Sequence, residues 1–476
     1  METKKQYWLL KSLLFICSIG LLSQGKSFAQ DGGDLDKIAA SQSGASPLLF
    51  KLKGDDIPLI SPGNFTNESE TIVRKGLSNF FQKIKIGQPV TVAFIGGSIT
   101  QGNYCYRLHT ARYLQQLYPQ VSFKWINAGV SGTGTDLAAF RLKEQVLDYK
   151  PDLVFIEFAV NKAYAAGMEG LIRQIIKNNP QTDICIIYTI LTGQTKIYQD
   201  GQIPANIVKL DSVAAYYQLP SIHLGMEAAA LEKTGALIWK GNKPVPGKIL
   251  FSNDGIHPLT AGGNLYAAAI ARGLDKIEKK QVATAHQLKP PFITDAWDSA
   301  GMYDPFEAAR FDANWKHIRP VDSAYLKKFS NWFGEVAFAE KPGASFSFRF
   351  RGDLFGIFDI GGPEVGQLEF KIDGQPVLLQ SRNTPEFNYY SAGAAGGEPT
   401  LNRFNFFCNN RYRGQHDLVQ VSPGIHEVTV TISGKKADKK AILTEKQSKD
   451  IEPHPEKYDR TAVYIGKILI RGTLIK

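Results

Sequence analysis

Hydrophobic residues along the first part of the chain come in short unbroken runs, separated by longer stretches in which they recur every three or four residues. The unbroken runs predict buried strands at residues 90–95, 121–127, 153–159 and 184–190. The other stretches predict helices at residues 106–117, 137–147, 170–177, 205–217 and 261–277. Such alternation is typical of an α/β domain with a parallel sheet covered by helices on both faces.

Later in the chain the pattern changes to strict alternation of apolar and polar residues. Residues 345–350 and 427–432 alternate with a period of two, and Asp373-Gly374 separates two strand-like segments as a hairpin turn would. This pattern predicts a C-terminal β-sandwich domain, jelly-roll-like in type. We expect its last strand, at residues 462–475, to close a final hairpin that carries a lysine-rich insertion.

The N-terminal residues follow a third pattern. Lys4 and Lys5 precede an apolar stretch at residues 12–22, and residues 27–29 offer a small-x-small cleavage site. The apolar stretch is too short for a membrane span. We therefore predict a signal peptide at 1–29, an N-terminal extension at 30–69, the α/β domain at 70–285, a proline-containing linker at 286–300 and the β-sandwich at 301–476. We expect the mature protein to be soluble, without an integral membrane segment. We also expect it to be secreted or periplasmic, and to come from a bacterium.

Composition and charge narrow the possible functions. The 476 residues are 43% hydrophobic and 21% charged, which is ordinary for globular proteins. The net charge is +10, but no basic helix interleaved with aromatic residues indicates nucleic-acid binding. Beyond the predicted signal peptide, Cys105, Cys185 and Cys408 allow at most one disulfide, and Cys185 lies in an apolar strand. Cysteine and histidine spacing indicates no metal, and no cofactor is expected.

The first predicted strand ends in a segment that suits a nucleophile. Gly96 and Gly97 follow the apolar run, and Ser98 would then lie at the sheet edge where open α/β folds bind ligands. By itself, Gly-Gly-Ser is more typical of a turn. The segment also differs from the G-x-S-x-G elbow of α/β-hydrolases, because Thr100 occupies the last position. Ser98 is the candidate nucleophile.

Two other strand ends carry groups that suit an oxyanion hole. The glycine-rich block at residues 127–133 could direct a backbone N–H toward a developing negative charge, although alone it is more typical of a connection. Asn161 ends the block at residues 156–161, and its amide could donate a hydrogen bond to the same oxygen. Asparagine is otherwise a routine turn former.

The most specific block, at residues 253–258, precedes the last predicted helix of the α/β domain. Asp254 and His257 are three residues apart, so a single turn can hold a general base and the group that orients it. His257 would take the proton of Ser98, while Asp254 would hold the other ring nitrogen. A lone histidine in a loop is usually polar surface, but Asp-x-x-His-Pro favours a catalytic pair.

In this order, Gly-x-Ser, a glycine block, an asparagine block and Asp-x-x-His resemble the SGNH (GDSL-type) hydrolase family over roughly residues 88–280. The resemblance implies a flavodoxin-like three-layer α/β/α fold. It implies that Ser98 is the nucleophile, His257 the general base and Asp254 its orienting partner. It also implies an oxyanion hole formed by the N–H groups of Ser98 and Gly132 and the side chain of Asn161.

Three positions affect how the family pattern is carried over. We prefer Gly132 to Gly129 as the oxyanion glycine because Ser-Gly-Thr resembles the family's Ser-Gly-(Asp/Thr) stretch. Gly97 stands where the commonest members have Asp, and Lys162 stands where Asp is frequent. Lys162 would place a cation beside the oxyanion donor, and it is the one hint of a decayed hydrolase.

The form Gly-Gly-Ser-Ile-Thr resembles a branch of the family that includes secreted carbohydrate esterases with a β-sandwich or jelly-roll partner. This resemblance implies a secreted serine esterase that hydrolyses O-acetyl groups on polysaccharides through an acyl-enzyme. The expected partner is an acylated polysaccharide or a small ester. A lipid or aryl esterase, or a non-catalytic glycan-binding protein on a decayed scaffold, remains open, as does the oligomeric state. Most aromatic residues in a β-sandwich belong to its core. The aromatic side chains that could stack on sugars are Trp297, Trp315, Trp332, Tyr389 and Tyr390.

Overall fold

A seven-stranded sheet forms the centre of the first domain. The computed structural model describes residues 44–52, 57–279, 285–409 and 411–476, so the predicted signal peptide lies outside the described residues. The sheet order is β1-β4-β3-β5-β6-β7-β2. The five central strands are parallel, and β1 and β2 pair antiparallel at the edges. The strands are β1 Leu49–Phe50, β2 Thr71–Ile72, β3 Val90–Gly96, β4 Phe123–Gly129, β5 Leu153–Glu157, β6 Asp183–Tyr188 and β7 Ser221–His223.

The helices connect these strands, and they pack in groups that include α3 with α9 and α4 with α5. Each of the five predicted helices is present, with ends that differ from the prediction by at most five residues. The helices are α1 Ser78–Lys85, α2 Ser98–Gln101, α3 Arg107–Leu117, α4 Thr135–Gln145, α5 Ala165–Asn178, α6 Gln194–Gln199, α7 Ala205–Tyr216, α8 Met226–Lys233 and α9 Thr260–Glu278.

The strand order places a crevice at the end of β3. The chain passes from β3 to β4 on one side and then to β5 on the other side of β3. Such a reversal is a topological switch point, where open parallel sheets bind ligands beyond the carboxyl ends of their strands. A small parallel pair outside the main sheet, β8 Leu237–Lys240 and β9 Ile249–Ser252, leads the chain back to this crevice.

The second domain is rich in strands, as the alternating pattern predicts. Its core contains the phenylalanines of the alternating segments, among them Phe346, Phe348 and Phe350. The twelve strands of its hydrogen-bonded network are β10 Ala300–Tyr303, β11 Arg310–Phe311, β12 Lys316–Ile318, β13 Val336–Ala339, β14 Ser345–Gly361, β15 Gln367–Ile372, β16 Gln375–Pro376, β17 Leu379–Asn383, β18 Asn388–Ala392, β19 Leu401–Asn402, β20 Arg413–Ile432 and β21 Val463–Ile475.

Short helices complete the described chain. Four are α-helical, namely α10 Pro305–Ala308, α11 Lys439–Ile442, α12 Glu445–Ser448 and α13 Pro455–Tyr458. The 3-10 turns are Glu68–Glu70, Leu147–Tyr149, Ala296–Ser299, Pro320–Asp322, Lys327–Phe329 and Phe406–Cys408. Within the described ranges, no helix combines the length and the apolar character that crossing a membrane requires.

Two turn predictions in the second domain have opposite outcomes. The hairpin turn at Asp373 and Gly374 is confirmed, and both residues have the positive φ that a two-residue hairpin of this type needs. The prediction of a final hairpin is wrong. Strands β20 and β21 pair on either side of β14 rather than with each other, so the lysine-rich insertion crosses from one side of β14 to the other.

The segment predicted as a linker, residues 286–300, is held closely against the first domain. The buried carboxylate of Glu169 accepts the backbone N–H groups of Phe292, Ile293 and Thr294 at 2.5, 2.8 and 3.0 Å. Trp297 is fully buried, and its Nε1 donates to the Tyr164 hydroxyl at 2.9 Å. Glu169 lies on α5, so the sequence gives no local sign that it anchors a segment so far along the chain.

The cysteines form no disulfide in the described chain. Cys105, Cys185 and Cys408 are each free and buried. Burial raises the pKa of Cys105 to about 12 and that of Cys408 to about 11, so both remain thiols at neutral pH. The expectation of a buried thiol at Cys185 is confirmed.

A buried lysine joins the two domains. Lys467 on β21 is 2% exposed, and its ammonium group lies 2.7 Å from the Glu144 carboxylate on α4 and 2.9 Å from the Asp304 carboxylate. Glu144 belongs to the first domain and Lys467 to the second, so this ion pair is one of the contacts that connect the domains.

We expect Lys467→Met to lower the free energy of unfolding by about 1–3 kcal/mol, because two neighbouring carboxylates would lose their shared cation. Urea unfolding of the full chain measures this change. Lys371→Met on β15 is the matched control, since Lys371 is exposed, and it should change the free energy by less than about 0.5 kcal/mol. Equal unfolding midpoints for the two variants would show that the buried ion pair contributes nothing.

Candidate active site

The candidate nucleophile lies at the switch point of the sheet. Ser98 is the first residue of α2, directly after β3 and Gly97. The first N–H groups of a helix have no intrahelical acceptor, so the N–H of Ser98 is available to a ligand. The strand–glycine–helix arrangement therefore presents both the Ser98 hydroxyl and its N–H at the crevice.

The structure brings together three side chains, although Ser98 lies 159 residues before His257 in the sequence. The Ser98 Oγ lies 2.6 Å from His257 Nε2. On the other side of the ring, His257 Nδ1 lies 2.6 Å from Asp254 Oδ2. The side chains of His257 and Asp254 are 25% and 19% exposed. This is the hydrogen-bonded order of nucleophile, base and orienting carboxylate that acyl transfer requires.

The turn after β9 holds Asp254 and His257 in place. Asp254 Oδ1 accepts the backbone N–H groups of Ile256 and His257, each at 2.8 Å, which leaves Oδ2 for the histidine ring. The Ser252 hydroxyl accepts the N–H of Gly255 at 2.9 Å. Burial by itself would raise the pKa of Asp254, but the hydrogen bonds and charge of His257 outweigh it and hold the pKa well below its usual value. Asp254 is therefore ionised at neutral pH.

Asn161 approaches the nucleophile through the space left by Gly97. A Cβ atom on Gly97 would lie 2.6 Å from Asn161 Nδ2 and 2.4 Å from Oδ1, which is too close for contact. The absence of a side chain at position 97 thus admits the Asn161 amide beside Ser98. Asn161 Oδ1 is buried without a hydrogen-bond partner. The close approach of Asn161 is the physical reason for a glycine at position 97, where Asp is common in the family.

The two candidate oxyanion glycines have different surroundings. The Gly129 N–H is already donated to Asn127 Oδ1 at 3.1 Å, and a Cβ on Gly129 would lie 2.3 Å from the Gln101 backbone nitrogen. Gly129 therefore serves close packing. Gly132 has a φ of 73° and lies in the loop beyond β4. Gln101 Oε1 fixes that loop by accepting the Ser131 N–H at 2.8 Å.

Two buried arginines support the backbone beneath the site. Arg141 on α4 donates to the carbonyl oxygens of Gly96, at 3.0 Å, and of Ala128. Burial lowers the pKa of Arg141 to about 9. Arg107 on α3 donates to the Thr100 carbonyl at 3.0 Å, at the end of the short helix that Ser98 begins. The sequence analysis missed both residues, and their only signal is a charge on an otherwise buried helix face.

A buried carboxyl group lies under the same helix. Glu157 ends β5 and is fully buried, and it accepts hydrogen bonds from the hydroxyls of Thr100 at 3.0 Å and Thr189 at 2.5 Å. Burial raises the pKa of Glu157. The group connects the helix after Ser98 to the end of β6, which makes it a positioning residue rather than a reacting one.

Lys162 does not extend toward the candidate oxyanion hole. Its ammonium group donates to the Thr384 carbonyl at 3.2 Å and to Asn388 Oδ1 at 2.5 Å, both in the β17–β18 hairpin of the second domain. The backbone of Lys162 has a positive φ of 63°, which is uncommon for a non-glycine residue. Lys162 therefore ties the asparagine block to the second domain.

A cavity of about 560 Å³ opens beside this block, between the two domains. We call it the interdomain cavity. Its first-domain wall includes the loop of Gly132 and the side chain of Asn161. The second domain supplies the opposite wall, which includes Phe387, Phe407 and Arg413. Gly132 and Asn161, two of the candidate oxyanion donors, therefore line a cavity whose other wall comes from the second domain.

The aromatic residues singled out from the sequence differ in exposure. Trp297, Trp315 and Trp332 are at most 9% exposed and belong to the cores. Tyr389 and Tyr390 are half-buried. Among the residues with described placement, no three metal-ligating side chains lie close enough to hold a metal ion.

A parallel sheet with its crevice at a serine, and a histidine from the turn before the last helix, defines an SGNH-type hydrolase domain. Residues 94–264 match the family model of the GDSL-like lipase/acylhydrolases. The predicted fold class is confirmed, with a mostly parallel sheet followed by a strand-rich domain. No curated protein sequence matches the chain.

Several solved structures resemble this one. A two-domain esterase active on acetylated mannans, co-crystallised with mannopentaose, has a TM-score of 0.60 and 19% identity, over 86% of this chain and 98% of that one. The structure of such an esterase without the ligand has a TM-score of 0.59 at the same identity and coverage. The acetylxylan esterase Axe2 of Geobacillus stearothermophilus has a TM-score of 0.30 and 21% identity, over 39% of this chain and 94% of that one. The first two show that the fold is shared across both domains.

Proposed function

We propose that this chain is a carbohydrate esterase that releases acetyl groups from a polysaccharide through an acyl-enzyme on Ser98. The observation that carries the proposal is the continuous hydrogen-bonded path from Ser98 Oγ through the His257 ring to Asp254, with 2.6 Å at each step. Export by the predicted signal peptide at 1–29, and the domain limits at 70–285 and 301–476, are part of the proposal.

In the acylation step, Ser98 Oγ attacks the ester carbonyl carbon while its proton passes to His257 Nε2. The tetrahedral intermediate collapses when the same proton is given to the departing sugar oxygen, which leaves the acetyl group on Ser98 as an ester. A water molecule then repeats the sequence, with His257 again as base, and acetate is released. Asp254 keeps the Nδ1–H directed at itself and stabilises the imidazolium that forms.

The negative charge on the tetrahedral oxygen needs donors that are already in place. We assign this role to the N–H groups of Ser98 and Gly132 and to the Asn161 amide. The approach of Asn161 to Gly97 supports its assignment, because it brings the amide beside the start of the helix that Ser98 begins. Preorganised donors of this kind avoid reorganisation during the reaction.

The proposal that the substrate is a polysaccharide rests on the cavity and on the similarity of the fold to solved two-domain esterases. The wall opposite Asn161 comes from the second domain, so a saccharide that extends into the cavity would contact both domains. The proteins with the same two-domain fold are described as active on acetylated mannans. The small acyl group is proposed from these relatives, and longer acyl chains are an outcome of the test.

Acetate release from acetylated mannan and acetylated xylan by protein that begins at Gln30 tests this function. Aryl esters of increasing acyl length are assayed in parallel, and the aryl acetate should be cleaved fastest. The Ser98→Ala variant provides the blank for every substrate. Faster cleavage of long acyl esters would replace the proposal with a lipid or aryl esterase, and binding of glycan without acid release would replace it with a binding protein.

A further inference from the structure

Arg413 is a cation without an acidic partner in the wall of the interdomain cavity. Its guanidinium lies over the ring of Phe407, 4.5 Å from the ring centroid. In the described part of the chain its hydrogen bonds are limited to one contact of 3.5 Å, from Nε to the carbonyl of the adjacent Gly414. No ion pair of Arg413 occurs among those residues, and its Nη atoms are left for a ligand.

The other charged groups of the cavity wall have partners. Asp136 lies 3.3 Å from His416 Nε2, and Asp417 pairs with the buried Arg403. The Lys162 ammonium is held by Thr384 and Asn388. A half-buried guanidinium loses hydration that nothing in the described protein replaces, and an anionic ligand group would replace it.

Arg413 lies beside the loop that we assign to the oxyanion hole. Arg413 Nη2 lies 3.6 Å from the place where a Cβ of Gly132 would be, so the guanidinium borders the loop assigned to the oxyanion hole. Phe407 and Phe387 present ring surface in the same cavity. An anion bound by Arg413 would therefore lie beside the Gly132 loop, which we assign to the oxyanion hole of the ester.

We propose that Arg413 binds the carboxylate of a uronic acid, so that the substrate is an acyl ester on an acidic saccharide. The inference rests on the proposed esterase function and names its substrate class. A guanidinium offers two parallel N–H donors that match a planar carboxylate. The ring of Phe407 supports the guanidinium from behind and limits its rotation, which reduces the entropy lost on binding.

The test compares two acetylated xylo-oligosaccharides that differ only in a glucuronic acid branch. We expect the wild-type chain to have a kcat/KM about ten- to hundredfold higher for the acidic substrate than for the neutral one. The difference should appear in KM, because one charge-assisted hydrogen-bonded pair contributes an affinity of this size. Arg413→Gln should bring the two values together, and Arg413→Lys should restore part of the difference, because a lysine supplies charge without the paired donors. Arg349→Gln removes the same charge from an exposed site on β14 and should keep the full difference.

A binding measurement separates this inference from the esterase proposal. Calorimetry of the full-length Ser98→Ala chain with the unacetylated acidic oligosaccharide should show binding that Arg413→Gln weakens at least tenfold, whatever the outcome of hydrolysis assays. Equal kcat/KM for acidic and neutral substrates in the wild type would overturn the inference. So would a preference that survives in Arg413→Gln. Failure of every ester to be hydrolysed would overturn the esterase proposal alone.

Discussion

Ser98→Ala and His257→Ala are each expected to lower kcat for acetyl ester hydrolysis by about 10⁴- to 10⁶-fold, and the double variant is expected to lower it no further. The reason is that the Ser98 hydroxyl and the His257 ring act as one unit. Without the ring at 2.6 Å, the hydroxyl has no acceptor for its proton, and without the hydroxyl the ring has no nucleophile to activate. Steady-state kinetics with an aryl acetate at saturating concentration measure the loss.

The controls are the same two substitutions away from the site. Ser212→Ala on α7 removes an exposed serine, and His317→Ala removes a histidine that is 48% exposed. Both should keep the kcat of the wild type. A double variant Ser98→Ala/His257→Ala that is slower by the product of the two single losses would show that the residues act independently, and the acyl-enzyme mechanism would then be wrong.

Asn161→Ala is expected to lower kcat by about 10²- to 10³-fold while the protein remains as stable as the wild type. The activity is lost because one of three donors to the tetrahedral oxygen is removed. Stability is kept because Asn161 Oδ1 is buried without a partner, so truncation removes an unsatisfied polar atom instead of a hydrogen bond. Kinetics and urea unfolding on the same samples measure both quantities.

Two further variants sharpen this prediction. Asn161→Asp keeps the shape of the side chain but replaces the donor with an oxygen, and it should be at least as slow as Asn161→Ala. Asn178→Ala, at the exposed end of α5, should leave kcat unchanged. A loss in Asn161→Ala that appears in KM with kcat preserved would assign Asn161 to substrate binding instead of to the oxyanion.

The fold was predictable where a local pattern decides the structure. Strands β5 and β6 are buried at every residue, and β3 and β4 are buried over their last five residues. Apolar runs of this kind are visible in the sequence. The turn that carries Asp254 and His257 was also visible, because both residues and their spacing lie within one short segment. Ser98 needed the other blocks for support, since Gly-Gly-Ser alone is typical of a turn.

The parts that could not be predicted depend on contacts between distant segments. Arg141 reaches the carbonyl of Gly96 from α4, and Glu169 collects three N–H groups from residues 292–294. Neither contact leaves a local pattern. The final hairpin was predicted wrongly for the same reason, because the strand that separates β20 from β21 is β14, from much earlier in the chain.

Lys162 shows how a departure from a family pattern can have a structural cause. From the sequence it was the one hint of a decayed hydrolase. In the structure its ammonium group is directed to the β17–β18 hairpin, and the adjacent Asn161 remains beside Gly97. Lys162 therefore has a structural role in this chain, because the second domain provides the acceptors for its ammonium group.

The burial of Trp297 has a consequence for how such a protein evolves. Its indole makes edge contacts with Phe140 and Tyr164 on one side of the joint and with Phe387 on the other, inside one continuous apolar core. A recombination event that cut the gene near this codon would leave each half with an exposed aromatic patch. The two halves therefore depend on each other for the burial of this core, and separating them would cost each half the apolar contacts that Trp297 provides.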